Sequence, residues 1–430
     1  MKLSLFMFSP SFQKKIVNLF YPAYMLIYYL LMFKISITTF VGYPIVALIF
    51  LIGFLYFTKT NSLRNKNAGQ TLMVYWTIYN VASIVMYAFN GLPISCYTDA
   101  IQLYFFPMLF FYIGNSPKNV DDSFYKFVLV SLAFLFLMGF YLYFAAPTYY
   151  VAYQAEIRSN LWYSNLGVTE DNVLNVLRFS SFLSTPYVTS ALSISLVAIS
   201  FSFLFRKTNV KPVIFYFLAV VGIVGAILCQ QRIAMASVLI VLPVYSYLGI
   251  KNKNKGVFVL STVVVVLFVI LLGVSFWDER LSVISEQITR RIEEIDFNKA
   301  MGERSDQYEK ATNEILSWIV TGKGMGAGGH SAVKVGSVGI CDGEFFHFLL
   351  EFGFLGYLLF IPLLIKTLIR GVKHFVLLNL EAFVVFYVLL TCIGANGLSQ
   401  SYLIGPLFWF CVGRIWNNEY INYRLYEQRE

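Results

Sequence analysis

The sequence predicts an all-α polytopic membrane protein, and three observations support that fold class. The 430-residue chain is 58% hydrophobic, and its charged fraction of 13% is about half that of a soluble domain. Its apolar residues gather into runs of about 17–25 residues, the length that crosses a bilayer as a helix. Its lysines and arginines stand between these runs, at densities that alternate from loop to loop. Strands are excluded, because an open sheet would leave backbone groups unpaired in lipid.

About twelve apolar segments are expected to be transmembrane helices, and together they make residues 1–430 a single integral membrane domain. The segments lie at 16–33, 40–57, 71–89, 100–114, 124–146, 186–205, 213–230, 233–249, 257–277, 344–365, 376–394 and 399–416. The fourth is short, and the boundary near residue 231 is equally compatible with a kink. No removable signal is expected, so the first segment itself would target the chain.

Positive charge orients these helices. One set of alternate loops holds 20 of the 32 lysines and arginines, whereas the four short loops on the other side hold only Lys34 and Arg232. The positive-inside rule places the first set and both chain termini in the cytoplasm. The net charge of +9 is therefore mostly a topology signal, and no nucleic-acid partner is expected.

Two long segments, residues 147–185 and 278–342, then face outward as external loops. The second holds 11 of the 23 acidic residues and eight basic ones. Apolar residues recur at helical spacing over 279–295 and 302–320, which predicts two amphipathic helices, the second with Ser305 as its N-cap. Functional groups are more common in such loops than on lipid-facing helices, so we expect both loops to form the active-site face.

A glycine-rich stretch follows the second amphipathic helix. Residues 322–343 include eight glycines, so this coil is either mobile or lets its backbone approach a ligand closely. Its GxGxxG match at Gly324, Gly326 and Gly329 is not interpreted as a nucleotide site, because it follows a helix and lacks a βαβ unit. No Walker A sequence occurs, which argues against ATP-driven transport by this chain.

The tenth segment opens with three ionisable residues on one helical face, Glu344, His347 and Glu351. Acids and an imidazole at the entrance of a span must face protein or a wet cavity rather than lipid. Three interpretations stay open: a wall of a substrate cleft, a hydrogen-bonded structural cluster, or a metal site completed by a fourth partner.

Arg232 separates two long apolar runs. A cation at the bilayer centre costs about 3 kcal/mol, so we expect this arginine at the outer interface. It either extends to the interface or caps a helix, or it holds an anion at the membrane surface. A guanidinium fits phosphate in bidentate fashion and stays charged, which favours a phosphate as that anion.

Two segments, one with Arg178 and one with Arg232, resemble motifs of the O-antigen polymerase (Wzy) and O-antigen ligase superfamily. "VLRFSSFLSTPYVTSAL" (176–192) resembles its Arg–x–x–Gly–x–Phe–x–x–Pro entrance to a span, with Ser181 in place of glycine. "LCQQRIAMASVL" (228–239) resembles its Ser–Arg–Gly junction, of which only Arg232 is kept.

Two later segments extend the resemblance in the expected order. "GERSDQYEKATNEILSWIVTGKGMGAGG" (302–329) resembles the arginine-led helix and glycine-rich segment of that superfamily, with Thr321 where proline is commoner. "DGEFFHFLLEFGFLGYLLF" (342–360) resembles His–Asn–x–x–Leu–x–x–x–x–Glu–x–Gly–x–x–Gly. The glutamate and both glycines of that pattern are in register as Glu351, Gly353 and Gly356.

The resemblance implies a GT-C-like glycosyltransferase of the bacterial plasma membrane whose active site faces the periplasm or cell exterior. A polymerase of this kind transfers a growing glycan from undecaprenyl diphosphate to the non-reducing end of another lipid-linked repeat unit, with no cofactor or metal. Its partners would be these lipid-linked oligosaccharides, membrane lipids, a flippase and a chain-length regulator. The product would be lipopolysaccharide O antigen, capsule or exopolysaccharide.

Residues for this chemistry fall into three groups. Fixed cations would stabilise the departing diphosphate. A base would take the proton of the acceptor hydroxyl. The expected diphosphate-binding residues are Arg232, Arg304 and Arg178, and Arg304 is also counted as catalytic. The expected bases, in order, are Asp342, Glu344 and His347. The third group, His330 and Glu351, would line the substrate cleft.

Two other functions remain in view. An O-antigen ligase would transfer the glycan to lipid A core, although Asp342 and Gly343 stand where ligases have His–Asn. A flippase for lipid-linked oligosaccharides would form no bond and would bury cations along a path through its spans. The predicted spans are nearly free of lysine and arginine, which favours surface chemistry.

Overall fold

Every described residue of the protein lies in helix, turn or coil. The structure is a computed structural model, and no strand occurs among the residues that it describes. These are residues 15–32, 45–52, 67–89, 101–158, 179–183, 185–206, 208–229, 231–251, 312–328, 343–393 and 402–429, with the single positions 96, 256, 258, 259, 262, 309 and 398.

The described helices are numbered in chain order. They are α1 (Phe20–Met32), α2 (Ala68–Phe89), α3 (Phe106–Gly114) with a π-helical turn (Ile101–Phe105) before it, α4 (Ser123–Ala145), α5 (Pro147–Arg158), α6 (Pro186–Leu204), α7 (Pro212–Leu228), α8 (Arg232–Lys251), α9 (Glu344–Lys373), α10 (Asn379–Thr391), α11 (Ile404–Trp416) and α12 (Asn418–Arg429).

Several of these helices are those of a membrane protein. Four in the described part of the chain are long and apolar enough to cross a bilayer: α4, α6, α9 and residues Ile233–Lys251 of α8. Helices α7, α10 and α11 are apolar but shorter. The predicted class, a helical membrane protein, is therefore confirmed. The total of twelve spans stays a prediction, since the second is described only over 45–52 and the ninth, 257–277, lies almost wholly outside the described residues.

Helix α9 departs from its predicted boundaries. The predicted span, 344–365, covers only its first part, and the helix continues to Lys373. The added turns carry Lys366 and Lys373, whose side chains are exposed and long enough to reach water from a helix end. A charge that ends an apolar run therefore does not end the helix.

The predicted external loops are partly helical. Helix α5 occupies the start of the 147–185 loop, where Pro147 suits the first helical turn because it has no N–H to satisfy. Within the larger loop, the helix predicted over 302–320 is described over residues 312–317, after which the chain turns. The amphipathic helix predicted over 279–295 lies outside the described residues.

Helix α6 is the centre of the bundle. Of its most apolar 18-residue window, 89% is buried inside the protein. Helix α7 crosses it closely: a Cβ added at Gly222 would lie 2.7 Å from Val197 Cγ2, and one at Gly225 would lie 2.7 Å from Ser193 Oγ. Small residues at such a contact let two helix backbones approach, which is how helices pack where lipid removes the hydrophobic driving force.

One end of the bundle, called the arginine end, holds charges drawn from several loops predicted to be cytoplasmic. Arg206 pairs with Asp122 and lies 3.7 Å from a carboxylate oxygen of Glu381. Tyr420 donates a hydrogen bond to Glu381 at 2.8 Å. The guanidinium of Arg414 lies 4.2 Å from the centroid of the Tyr420 ring. These contacts join the loops after α3 and α6 to helices α10, α11 and α12.

Arg206 keeps its charge in this buried position. Burial alone would lower the pKa of its guanidinium, but Asp122, then Tyr420 and Glu381, raise that pKa well above its usual value. The group is therefore protonated at every physiological pH. The carboxylates beside it, rather than solvent, stabilise this buried charge.

We expect Asp122→Asn to destabilise the protein, because it leaves Arg206 buried with only the more distant carboxylate of Glu381. Removing one partner of a buried pair costs about 3–5 kcal/mol of the free energy of unfolding. Because the carboxylate of Glu381 remains, we expect a loss of about 3 kcal/mol. Unfolding of the purified protein in mixed micelles measures this loss.

Glu314→Gln is the matched control, since the Glu314–Lys323 pair is only partly buried, with side chains exposed by 28% and 17%. Water screens such a pair, so its loss should cost no more than about 1 kcal/mol. Equal losses in both variants would contradict a stabilising role for the arginine end.

Candidate functional site

Helix α9 is broken at Gly353. This residue has φ 60° and ψ −169°, a conformation that is essentially restricted to glycine. The break leaves the N–H groups of Phe354 and Leu355 without helical partners. They donate instead to the carbonyl oxygens of Ile319, at 2.7 Å, and Val320, at 3.0 Å. The second half of α9 thus begins against the segment that precedes the glycine-rich stretch.

The glycine-rich stretch also donates hydrogen bonds to the last carbonyl groups in the first half of α9. The described part of this stretch, residues 322–328, is called the glycine coil. Its Lys323 N–H donates to the Leu350 carbonyl at 2.8 Å, and its Gly324 N–H donates to the Glu351 carbonyl at 3.0 Å. Irregular backbone at membrane depth is tolerated only where protein or a wet cavity supplies its hydrogen bonds, and here protein does.

Glycine is required where the coil touches α9. Gly322 has φ 73°, and a Cβ there would lie 2.3 Å from the Glu351 carbonyl oxygen. A Cβ on Gly353 would lie 2.3 Å from the Gly322 nitrogen. One on Gly328 would lie 2.4 Å from Cδ2 of His347. Close approach is therefore the role of these glycines, and the surface they approach is α9.

Three predicted site residues are buried in the first half of α9, and two of them, His347 and Glu351, lie under this coil. Glu344, His347 and Glu351 are 1%, 2% and 0% exposed, so they face protein, as predicted. Nε2 of His347 lies 3.3 Å from Oε1 of Glu351. That same oxygen accepts the N–H of Gly328 at 3.1 Å. The coil, the histidine and the glutamate thus form one hydrogen-bonded unit.

Tyr104, from the π-helical turn, completes this unit. Its hydroxyl lies 2.6 Å from Nδ1 of His347. The hydroxyl donates to this nitrogen when the ring is neutral there and accepts from it when the ring carries a proton there. Tyr104 and Glu351 together therefore orient the imidazole.

Glu344 anchors the start of α9. Its Oε2 accepts the N–H of Leu398 at 2.9 Å, and its own N–H donates to the Cys392 carbonyl at 3.0 Å. Tyr187, near the start of α6, interacts with it electrostatically. The first residues of α6 and α9 and the end of α10 therefore share one end of the bundle, opposite the arginine end.

Glu351 is covered in this structure, so its expected place in a substrate cleft stays a prediction. Its side chain is fully buried, and its Oε2 has no hydrogen-bond partner in the described structure. The reason is the glycine coil, which covers this face of α9. The arrangement is that of a closed site whose cover is held by backbone hydrogen bonds.

Two residues of α2 hold the cover in place and were not predicted. Ser83 Oγ accepts the N–H of Met325 at 2.8 Å. The hydroxyl of Tyr79 lies 2.9 Å from the Thr321 carbonyl oxygen and 2.6 Å from that of Phe352. Polar residues inside an apolar span were the available signal for such a role.

The remaining predicted residues are only partly described. Arg232 is the first residue of α8. Phe179, directly after Arg178, donates its N–H to the Leu228 carbonyl at 3.1 Å, four residues before Arg232. Arg178, Arg304, His330 and Asp342 lie outside the described residues. Their roles stay predictions.

Neither metal ligands nor known relatives help to assign this site. Among the described residues, no group of three or more His, Cys, Asp or Glu side chains is arranged to hold a metal ion. Comparisons of the chain with models of known protein families and with curated proteins found no match. The superfamily resemblance therefore rests on the motifs quoted from the sequence.

Proposed function

We propose that the protein is a polysaccharide polymerase of the outer face of the bacterial plasma membrane. It would join lipid-linked oligosaccharide repeat units by transferring the growing glycan from undecaprenyl diphosphate to the non-reducing end of an incoming unit. Its architecture would be GT-C-like, with twelve spans and both termini in the cytoplasm. The donor is already activated, so the reaction uses no nucleotide.

The observation that carries the proposal is the geometry of the Glu–x–Gly–x–x–Gly pattern. Glu351 accepts the N–H of Gly328 in the coil, and Gly353 breaks the helix. Gly356 lets α2 pass close by, since a Cβ there would lie 3.1 Å from Cε1 of Tyr79. Each of the three matched residues thus has a local physical reason, which a chance match in a lipid-facing span would lack.

The chemistry breaks one bond and forms one. The acceptor hydroxyl attacks the anomeric carbon of the donor glycan as the bond from that carbon to the diphosphate oxygen breaks. The electron pair leaves with undecaprenyl diphosphate, and the hydroxyl proton passes to a base. Because diphosphate is a stable leaving group, its developing charge needs fixed cations more than a strong acid.

Arg232, Arg304 and Arg178 are assigned to the diphosphate. Arg232 begins α8, and a helix N-terminus adds unpaired N–H groups and a positive dipole end for an anion. The Phe179–Leu228 hydrogen bond brings the backbone next to Arg178 against the end of α7, close in sequence to Arg232. These contacts support a shared site for two of the three arginines.

Asp342 remains the first choice of base, with Glu344 and His347 after it. His347 has the better electrostatic setting, because Glu351 faces the imidazolium that it would become. It is nevertheless buried, and it meets an acceptor only if the glycine coil moves. Glu344 is buried as well and already accepts the Leu398 N–H.

The distribution of cations favours this function over a flippase. In helices α1 to α4 and α6 to α11, every lysine and arginine stands in the first turn or the last two turns. A path for a diphosphate through the bundle would need cations between these turns. Gly343 bears on the ligase alternative: its φ of 97° suits glycine, where the ligase pattern has asparagine.

Deletion of the protein in its host separates the three functions. The expected surface carries single repeat units attached to their normal carrier, because assembly and transfer continue without elongation. A surface without any repeat unit would indicate a ligase, and lipid-linked units retained on the cytoplasmic side would indicate a flippase. Either result contradicts the proposal.

A further inference from the structure

An apolar crevice opens between helices α8, α9 and α10, away from the candidate site. Its volume is about 190 Å³, and its lining includes Ile240, Val244, Leu368, Val372, Phe383 and Phe386. Val372 and Phe386 at its mouth are 71% and 46% exposed. It therefore opens outward on the bundle, where the surrounding medium is membrane.

The described side chains that line the crevice offer no polar partner to a ligand. Thr367 is a polar residue of its lining, and its hydroxyl donates to the Leu363 carbonyl at 2.7 Å and accepts the Trp416 Nε1–H at 2.8 Å. Its hydrogen bonds are made within the protein. A hydrocarbon chain fits such a surface, whereas a sugar or a headgroup would lose its hydrogen bonds there.

The crevice lies near the arginine end of the bundle. It is lined by the last turns of α9 and the first turns of α10, which meet at the connection 374–378. On α8, Ile240, Val244 and Lys251 share one face at spacings of four and seven residues. Lys251 ends that helix, about 10 Å beyond Val244 at 1.5 Å per residue, and its side chain is exposed.

The rim of the crevice is positively charged. Besides Lys251, the last turn of α9 holds Arg370 and Lys373, and His374 directly follows them. Burial and then the charges of Arg370 and Lys373 lower the pKa of His374, so this ring is neutral at pH 7 within a positive field. An apolar crevice fits the acyl chain of a lipid, and a cation about 10 Å along the helix fits an anionic headgroup.

We infer that this crevice binds an acyl chain of an anionic phospholipid whose phosphate pairs with Lys251. The occupant is drawn from the leaflet at the arginine end, so the site is separate from the glycine-coil site. Because a lysine near an anionic surface contributes about 1 kcal/mol, binding should prefer phosphatidylglycerol over phosphatidylcholine about fivefold.

The test uses the full chain reconstituted in vesicles of brominated lipids, which quench nearby tryptophan fluorescence. Phe386→Trp is the reporter in the crevice, and Tyr75→Trp on α2, a helix without lysine or arginine, is the control. Each position stands seven residues after the first residue of its helix, and both side chains are exposed, by 46% and 54%. Subtraction of the parent protein removes the signal of the native tryptophans.

Varying the proportion of brominated phosphatidylglycerol to brominated phosphatidylcholine gives the relative affinity at each position. The expected preference is about fivefold for the Phe386→Trp reporter and about onefold for the Tyr75→Trp control. Adding Lys251→Gln to Phe386→Trp should reduce the preference towards onefold, with monodisperse elution as the check on folding.

Equal preferences at the two positions, or a preference unaffected by Lys251→Gln, would overturn the inference. Absence of quenching by either lipid at the reporter position would also overturn it. That outcome would show that protein, either residues 257–277 of this chain or a second copy, covers the crevice.

Discussion

Replacing Arg232 or Arg304 with alanine is expected to stop glycan elongation while the protein still inserts and folds. In the proposed reaction these guanidinium groups stabilise the charge that develops on the departing diphosphate. Loss of one such group costs about a hundredfold to a thousandfold in rate. Cells carrying either variant should therefore display single repeat units, which gel analysis of the surface glycan resolves.

Two further variants separate a diphosphate role from a general need for positive charge. Arg232→Lys should restore little activity, because an ammonium replaces the planar fork that binds phosphate in bidentate fashion. Lys126→Ala, in the first turn of α4 at the arginine end, should leave the glycan ladder unchanged, since its exposed side chain lies at the end of the bundle opposite the candidate site. Normal ladders in both the Arg232→Ala and Arg304→Ala proteins would remove these two residues from the mechanism.

Gly353→Ala is expected to disrupt the covered site and reduce activity about a hundredfold, the scale of a misplacement of about 1 Å. The added Cβ would lie 2.3 Å from the Gly322 nitrogen, and alanine would have to adopt φ 60° and ψ −169°. The backbone strain alone costs about 1–3 kcal/mol. Loss of the docked coil should lower the melting temperature and expose the Glu351 side chain.

Gly371→Ala, on the same helix, is the matched control. Its Cβ would meet Cβ of Ala382 at 3.2 Å and Cδ1 of Ile415 at 3.5 Å, both in side chains. Alanine is better than glycine in a helix by about 1 kcal/mol, which offsets this crowding. Matching losses in Gly353→Ala and Gly371→Ala would show that the helix break has no particular importance.

The sequence predicted what depends on local geometry. Glu344, His347 and Glu351 share a helix face because their spacing requires it, and their burial in protein follows from the cost of placing charge in lipid. The helical membrane class follows from the apolar runs in the same way. These conclusions need no knowledge of which helices are neighbours.

The break in α9 depends on distant contacts and could not be predicted. A glycine inside an apolar run is compatible with a continuous helix. Its positive φ is stable only because residues 319–324 supply the missing hydrogen-bond partners, from the far side of a long loop. The same reason hid Tyr104 and Ser83, which reach the site from other helices.

The arginine end gives a second example. Arg206 counted in the sequence only as one of the positive charges that orient the chain. The structure adds that it is buried between Asp122, at the start of α4, and Glu381, in the first turn of α10, which are far apart in sequence. The distribution of positive charge predicts the side of the membrane on which an arginine lies. Whether its side chain is exposed there depends on how the helices pack.

The most direct measurement of the central claim is elongation by the purified protein. The protein would be placed in lipid nanodiscs with one lipid-linked repeat unit of its host, without nucleotide and with a metal chelator. Gel separation and mass measurement of the lipid-linked products follow the reaction. The account predicts a ladder that grows by whole repeat units and is lost in Arg232→Ala. Products that stay at one repeat unit with the folded wild-type protein would contradict it.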